Sequence, residues 1–296
     1  MDTLNEKKNY LMDRTTIFKK LDRIDELLTL PSIAIEVNKL LQNLDTSIKT
    51  LSDTIEKDQA IVSKILRLVN SAFFGFQSKI NNIPHALMVL GFNTVRNAVM
   101  SVSVIDTLSM KNVPNGWDMR EFWKHSVAVA VTSKRLAERT KLCPPDNCFI
   151  GGLLHDVGKI IIAQFFREVF LQILILMGDE KLTFSDAEKE IIPIGHDQIG
   201  GYLAKQWKLP PDLVDAVMYH HSTNTRIYDL NFLLIIHTAD YIVNIFDQQS
   251  ETNFNITSLR KDAETLMEKQ LETVNEWFPE TAIEIDSACD FFLREI

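Results

Sequence analysis

The chain has 296 residues, 46% of them apolar and 24% charged, with only 10 glycines and 9 prolines, a composition that favours long helices over many tight turns. Its net charge of −9 disfavours nucleic acid and anionic membrane as partners, because both select a basic footprint, but it leaves a small phosphate ester open. Three cysteines without a C-x-x-C pair exclude a disulfide framework and suit a reducing, cytoplasmic compartment.

Residues 1–15 are polar, lack an apolar h-region, and read as a loose N-terminal tail without a secretory signal. A first helix follows, in which Ile17, Leu21, Ile24 and Leu28 recur at helical spacing. After Pro31 a second carries Ile33, Val37, Leu40, Leu41 and Leu44. Ser47 is placed to cap a short helix with Ile48, Leu51 and Ile55, and Asp58 the next, with Ile61, Ile65, Leu68 and Val69 inward. Asn70 to Phe76 reads as a helix end and a loop. Pro84 suits the first turn of another helix, Gly91 ends it, and Asn93 is placed to cap a successor from Thr94 towards Leu108. The turn from Asn112 to Gly116 is the clearest boundary. Residues 16–110 are expected to form one helical lobe, 117–246 a second, and 247–296 a C-terminal helical extension.

In the second lobe Asp118 caps a helix from Met119 to about Thr140 that carries His125. The apolar segment Leu153 to Ile160 holds His155 and Asp156 side by side, with Lys159 three residues on. The run Ile160 to Met177, interrupted by Gln164, Arg167, Glu168 and Gln172, is expected to be one buried helix and not a membrane span. Ser185 to Glu188 fits a capping box for the helix bearing His196, and Pro193 predicts a kink or restart just before that histidine. Pro210 and Pro211 stop that element, His220 and His221 close the next, and a helix from Leu230 to Phe246 carries His237 and Asp240 at i and i+3. C-terminal helices are expected near 258–278 and 280–295. No β-type alternation competes in the first lobe, so the fold class is all-α.

A carboxylate taken out of water needs a cation or several hydrogen-bond donors, and an imidazole beside it is a ligand of intermediate hardness. A divalent metal satisfies both. Residues of ligand type recur at His125, His196, His220, His221 and Asp240, each on a segment with helical patterning, and helix bundles build metal sites in this way. One ion has His125, His155, Asp156 and Asp240 available, and a second has His196, His220 and His221, with Asp156 bridging. Two dications against two carboxylates leave the pocket positive, and Lys159 adds to that field, so a phosphate would be drawn there. Fe, Mn, Ni and Zn all suit such mixed ligands. His237 reads as structural or as orienting Asp240, His85 as structural, and Cys143 and Cys148 as small buried hydrophobes.

The order H…HD…H…HH…D, with Lys159 after the His-Asp pair, resembles the HD superfamily of metal-dependent phosphohydrolases, in particular dinuclear members such as the HD-GYP phosphodiesterases. The segments Ile55-Glu56-Lys57-Asp58, Leu66-Arg67-Leu68-Val69-Asn70-Ser71-Ala72-Phe73-Phe74 and Ala86-Leu87-Met88-Val89-Leu90-Gly91-Phe92 are similar to the HDOD family, the HD-related output domain of bacterial signalling proteins. That similarity runs over roughly residues 25–245. The resemblance implies an all-helical two-lobed fold and a role in signal transduction, exerted through signalling protein partners or a phosphate-containing small molecule. Many HDOD domains have lost the HD ligands and act as non-catalytic regulatory or scaffolding modules, whereas this chain keeps them. It therefore implies either a phosphohydrolase in which Asp156 and Lys159 are catalytic, or a scaffold whose metals are structural. The chain departs from the HD-GYP pattern at Ser222-Thr223-Asn224-Thr225, where the glycine-tyrosine-proline loop would follow, and from the HDOD pattern at Asp58-Gln59, usually Asp-Pro.

Overall fold

Short polar side chains start the helices by satisfying the first free main-chain N–H groups. Ser47 accepts from Thr50, Asp58 from Ala60 and Ile61, Asn82 from His85, and Asp118 from Arg120 and Glu121. In the computed structural model, which describes residues 10–24, 30–41, 43, 45–70, 79–109, 114, 116–180, 182–221, 227–247 and 259–293, every regular element among the described residues is an α-helix. In chain order they are α1 (Arg14–Ile24), α2 (Ser32–Leu40), α3 (Ile48–Ile55), α4 (Gln59–Val69), α5 (Ile83–Leu108), α6 (Met119–Thr140), α7 (Pro145–Leu154), α8 (Val157–Phe165), α9 (Arg167–Glu180), α10 (Phe184–Ile191), α11 (His196–Gln206), α12 (Pro211–Tyr219), α13 (Leu230–Asp247), α14 (Lys261–Glu272) and α15 (Val274–Phe292). The expected N-terminal tail up to residue 9, Leu28, Leu44, the aromatic loop at 71–76, most of the turn at 112–116, Ser222 to Thr225 and the polar loop at 251–255 lie outside the described residues.

Helices α2, α3 and α4 pack around α5, and α5 reaches across to α7. In the other lobe α6 is central, packed against α7, α13 and α15, while α11 joins α8 to α12 and α12 leads to α13. Helix α1 and the residues just before it contact this second group. Leu11 N–H donates to the Ile191 carbonyl at 2.9 Å, Tyr202 bonds Asp22, and Lys20 lies 4.8 Å over the Phe166 ring. Two spans, Ile83–Leu108 and Pro145–Phe165, are long and apolar enough to cross a membrane, but 61% and 83% of their apolar windows are buried inside the protein. Packing against neighbouring helices accounts for that hydrophobicity.

Several boundaries differ from those read in the sequence. The run from Ile160 to Met177 is two helices, because Phe166 leaves helical geometry at φ −123°, ψ 47°. The bend lets both Phe166 and Phe170 reach the core, 3% and 0% exposed. The last two helices divide at Thr273 and not near Pro279, which lies inside α15. The Trp277 indole ties that break by donating to the Gln270 carbonyl at 3.0 Å. At Gly91 the break is where the sequence puts it: φ +82° is a conformation that only glycine adopts without strain, and the chain re-enters a helix directly. Thr183, and not Ser185, caps α10 by accepting from Asp186 N–H, and the helix bearing His196 is a separate restart after Pro193.

A close helix crossing sets the position of the His-Asp pair. A Cβ on Gly158, in the first turn of α8, would lie 1.8 Å from the His196 carbonyl oxygen and 2.9 Å from Gly200 N. Both are backbone atoms of α11, so neither can swing away. Gly178, near the end of α9, has nothing within 4 Å of the same position. Gly158→Ala is therefore expected to push α8 from α11 and cost about 1–3 kcal/mol or more, as overpacking does. Gly178→Ala should stabilise by roughly 0.5–1 kcal/mol through helix propensity. Urea denaturation of the two variants checks the opposite signs.

Candidate metal centre

Two of the histidines end helices. His155 is the C-cap of α7 and His220 the C-cap of α12, and in each the Nδ1 meets a carbonyl three residues back, Gly152 at 2.6 Å and Val217 at 2.9 Å. A carbonyl only accepts, so Nδ1 carries a hydrogen and Nε2 turns inward, the nitrogen left for a metal. His196, at the start of α11, is set by a carboxylate instead. Its Nδ1 lies 2.8 Å from Glu188 Oε1, and its main-chain N–H donates to Oε2 of the same residue at 2.8 Å.

These Nε2 atoms converge on Asp156, which is 1% exposed. Oδ1 of Asp156 faces His196 Nε2 at 3.0 Å and His220 Nε2 at 3.5 Å, while Oδ2 faces His155 Nε2 at 3.4 Å and His125 Nε2 at 3.7 Å. Asp240 Oδ1 adds a second carboxylate, 3.2 Å from His125 Nε2 and 3.6 Å from His155 Nε2. His221 stacks on His220 with ring centroids 4.1 Å apart and lies 5.0 Å from the His196 ring. The ligand atoms of Asp156, His196, His220 and His221 all lie within 4.8 Å of one another, as do those of His125, His155 and Asp156. Clusters able to coordinate one or two metal ions are thus present, and they share Asp156.

The donor set fits a cation on its own terms. Buried His155 Nε2 and Asp156 Oδ1 have no hydrogen-bond partner, and His196 Nε2 points at His220 Nε2 across 3.3 Å. In the absence of a metal, protons and one ammonium carry the compensation. Burial alone would depress His155, but Asp156 and Asp240 outweigh it and hold its pKa up at about 10. Burial likewise opposes protonation of His196, and Glu188 with Asp156 lifts it to about 9. Burial works against ionising Asp156 and Asp240, yet Lys159 and His155 hold the first, and His125 and His155 the second, well below the usual carboxylate range. His220 goes the other way, pushed down chiefly by burial. Lys159 Nζ lies 2.5 Å from Asp156 Oδ2 and 5.3 Å over the Phe184 ring.

All seven ligand-type residues named from the sequence are in or at the rim of this centre, and Lys159 contacts it. His237 does not orient Asp240; its Nδ1 meets the His220 carbonyl at 2.9 Å, and Asp240 Oδ1 accepts from Asn244 Nδ2 at 2.8 Å. The i, i+4 spacing of Asp240 and Asn244 was the available signal for that contact. Glu188, read from the sequence as part of a capping box, is 2% exposed and serves His196. Its signal was a charged residue on the same helix stripe as Phe184 and Ile191, where apolar side chains belong. His85, in the first turn of α5, takes no part.

The HDOD domain family matches residues 27–223. An uncharacterized protein of Treponema pallidum is 26% identical over 203 residues, 68% of this chain and 39% of that protein. YuxH, an uncharacterized protein of Bacillus subtilis, is 30% identical over 115 residues, 39% of this chain and 27% of that protein. The alignments thus span about two fifths and about a quarter of these curated relatives' own lengths. Among solved structures, an HDOD domain protein of unknown function from Geobacter sulfurreducens superposes with a TM-score of 0.76 at 25% identity, covering 95% of this chain and 99% of that one. A Shewanella amazonensis protein gives 0.73 at 23% identity, covering 92% and 97%. Since the family match takes in α2 to α12 and every ligand-type residue except Asp240, the chain belongs to the HDOD family.

Proposed function

We propose that this HDOD protein acts in bacterial signal transduction and that its centre is a dinuclear HD-type site that hydrolyses a phosphate ester or nucleotide. The observation that carries the reading is the division of labour at Asp156, whose two oxygens face two separate groups of imidazole nitrogens. A bridging carboxylate needs that arrangement. His125, His155, Asp156 and Asp240 would hold one ion, and His196, His220, His221 and Asp156 the other. When bound, divalent ions of this kind acidify a water and neutralise phosphoryl oxygens. The chain's own contribution is positional. The exposed His221 and the His125 side chain, 19% exposed, mark where a substrate reaches the centre, and Lys159 offers a cation to a phosphoryl oxygen there. The sequence Ser222 to Thr225 replaces the HD-GYP loop, which argues against cyclic di-GMP as substrate.

A second reading is favoured by one contact. With its ammonium 2.5 Å from Asp156 Oδ2, Lys159 is engaged within the protein and not held free for a substrate. In that reading the metals are structural, and the lobe of residues 16–110 and the extension of residues 247–296 recruit a protein partner.

Metal analysis separates the centre from its absence. The full chain is expected to retain about two equivalents of Fe, Mn, Ni or Zn, and Asp156→Ala to lose both, since the shared ligand goes. A phosphatase and phosphodiesterase panel run beside it is expected to show turnover that disappears in the same variant. Retained metal with no turnover on any phosphate ester selects the scaffold, and no uptake after reconstitution removes the metal centre.

The raised pKa values give a signed pH dependence. Metal-free His155 and His196 are protonated at pH 7, and the stability this gives is complete below the ordinary imidazole value of about 6.5 and fades as pH rises through about 9 and then about 10. Metal must displace those protons. Calorimetry in buffers of different ionisation enthalpy should therefore show release of about two protons per chain at pH 7 and an affinity that climbs towards pH 9. Lys159→Met removes the competing ammonium, so metal should bind more tightly, while turnover should fall if Lys159 contacts substrate. Unchanged turnover with intact metal removes Lys159 from the catalytic machinery.

A further inference from the structure

The two groups of ligands at Asp156 are not matched in charge. The group of His125 and His155 has a carboxylate of its own, Asp240, whereas the group of His196, His220 and His221 has only the shared Asp156. The missing charge stands one layer out. Glu188 reaches from α10 with both oxygens engaged on His196, at 2.8 Å to the ring and 2.8 Å to the main-chain N–H. It is 2% exposed, and it makes no ion pair with Lys or Arg among the described residues. The other two anchored imidazoles, His155 and His220, rest on neutral carbonyls. Glu188 is not needed to start its own helix, because Thr183 already caps α10.

We propose that Glu188 is a positioning residue for one ion of the pair: it holds His196 in the Nδ1–H tautomer, aims its Nε2 at Asp156 Oδ1, and supplies the negative charge that lets the His196, His220 and His221 group hold its own cation. The proposal rests on the metal-centre reading above. It makes the two ions separable, one depending on Asp240 and the other on Glu188. A carboxylate behind a ligating histidine raises the basicity of the ligand nitrogen, and its removal typically weakens metal binding about 10–100-fold. Gly195 guards the contact from the other side. A Cβ there would lie 2.7 Å from Glu188 Oε1 and 2.6 Å from Asp197 Oδ1, so an added methyl must displace the carboxylate.

The test is titration of the full chain with Mn2+, read by metal analysis and by electron paramagnetic resonance, with circular dichroism to confirm folding. Wild type is expected to bind about two ions with the coupled signal of a pair. Glu188→Gln should keep one ion with a mononuclear signal and bind the other about 10–100-fold more weakly. Gly195→Ala should do the same without removing the carboxylate, and Asp240→Asn should weaken the opposite ion. A folded Glu188→Gln that binds both ions as wild type does, or that loses both equally, overturns the proposal while the metal centre stands. If Glu188→Gln does not fold, Gly195→Ala decides, and two ions at wild-type affinity in that variant overturn it. Wild type that takes up no Mn2+ sinks the metal-centre reading itself and this proposal with it.

Discussion

One buried carboxylate sets the terms for the second lobe. Asp156 is taken almost wholly out of water, with imidazole nitrogens and one ammonium for neighbours. Uncompensated, such burial costs far more than a domain's whole stability margin. Cations are the remaining remedy, whether an ammonium from Lys159, protons on His155 and His196, or metal ions. The ammonium lies on Asp156, and the raised pKa values of His155 and His196 point to the protons. They satisfy charge but leave His155 Nε2 and Asp156 Oδ1 without a partner, and native proteins rarely tolerate that unless something else binds there.

The helix ends reinforce the same demand. Helices α7 and α12 both terminate at the centre, with His155 and His220 as their C-caps, and the C-terminal end of a helix carries partial negative charge that favours a cation. Each capping imidazole bonds a carbonyl of its own last turn, which the helix would otherwise leave unsatisfied. That local bond also fixes the tautomer. The same contact therefore ends the helix, orients the ring and exposes Nε2, and two sequence-distant histidines acquire one geometry from one local rule. His196 lies at the opposite kind of helix end, the start of α11, where main-chain N–H groups point outward and a carboxylate is the suitable partner. Glu188 fills that role.

Much of this was legible in the sequence, and the reasons differ by element. The spacing of His125, His155, Asp156, His196, His220, His221 and Asp240 on helix-patterned segments was enough to anticipate that they meet, because polar ligand types on apolar faces have few other reasons to be there. Helix starts at Ser47, Asp58 and Asp118 were legible because capping is a local bond over two or three residues. What escaped was set by packing at long range. Glu188 fits a capping-box spacing by position, and only the approach of α10 to α11 shows that its oxygens are used elsewhere. The split at Phe166 depends on two phenylalanines reaching one core, and the break at Thr273 on an indole bond across it; neither leaves a glycine or proline in the sequence to mark it. The side-chain contacts of α1 with Phe166 and with Tyr202 of α11 could not be read from its periodicity, which gives a buried face but not what buries it.

The extension beyond the family match is joined to the centre through main-chain atoms. Arg260 N–H, just before α14, meets His237 Nε2 at 3.3 Å, and His237 Nδ1 meets the carbonyl of His220 at 2.9 Å. His237 thus spans from the extension to the residue that caps α12, and burial holds it towards the neutral form, in which one nitrogen donates and the other accepts. Farther along, α15 is clamped to α6 by Arg120 on the Leu293 carbonyl at 2.7 Å and by Arg135 on Glu284 at 2.6 Å. Helix α6 is the one that delivers His125. The extension therefore bears on both groups of ligands at once, on His220 through a relay of two hydrogen bonds and on His125 through the helix that carries it. Any movement of α14 or α15 is constrained by the same bonds that place the ligands, so the geometry at Asp156 and the packing of the last helices are properties of one connected structure.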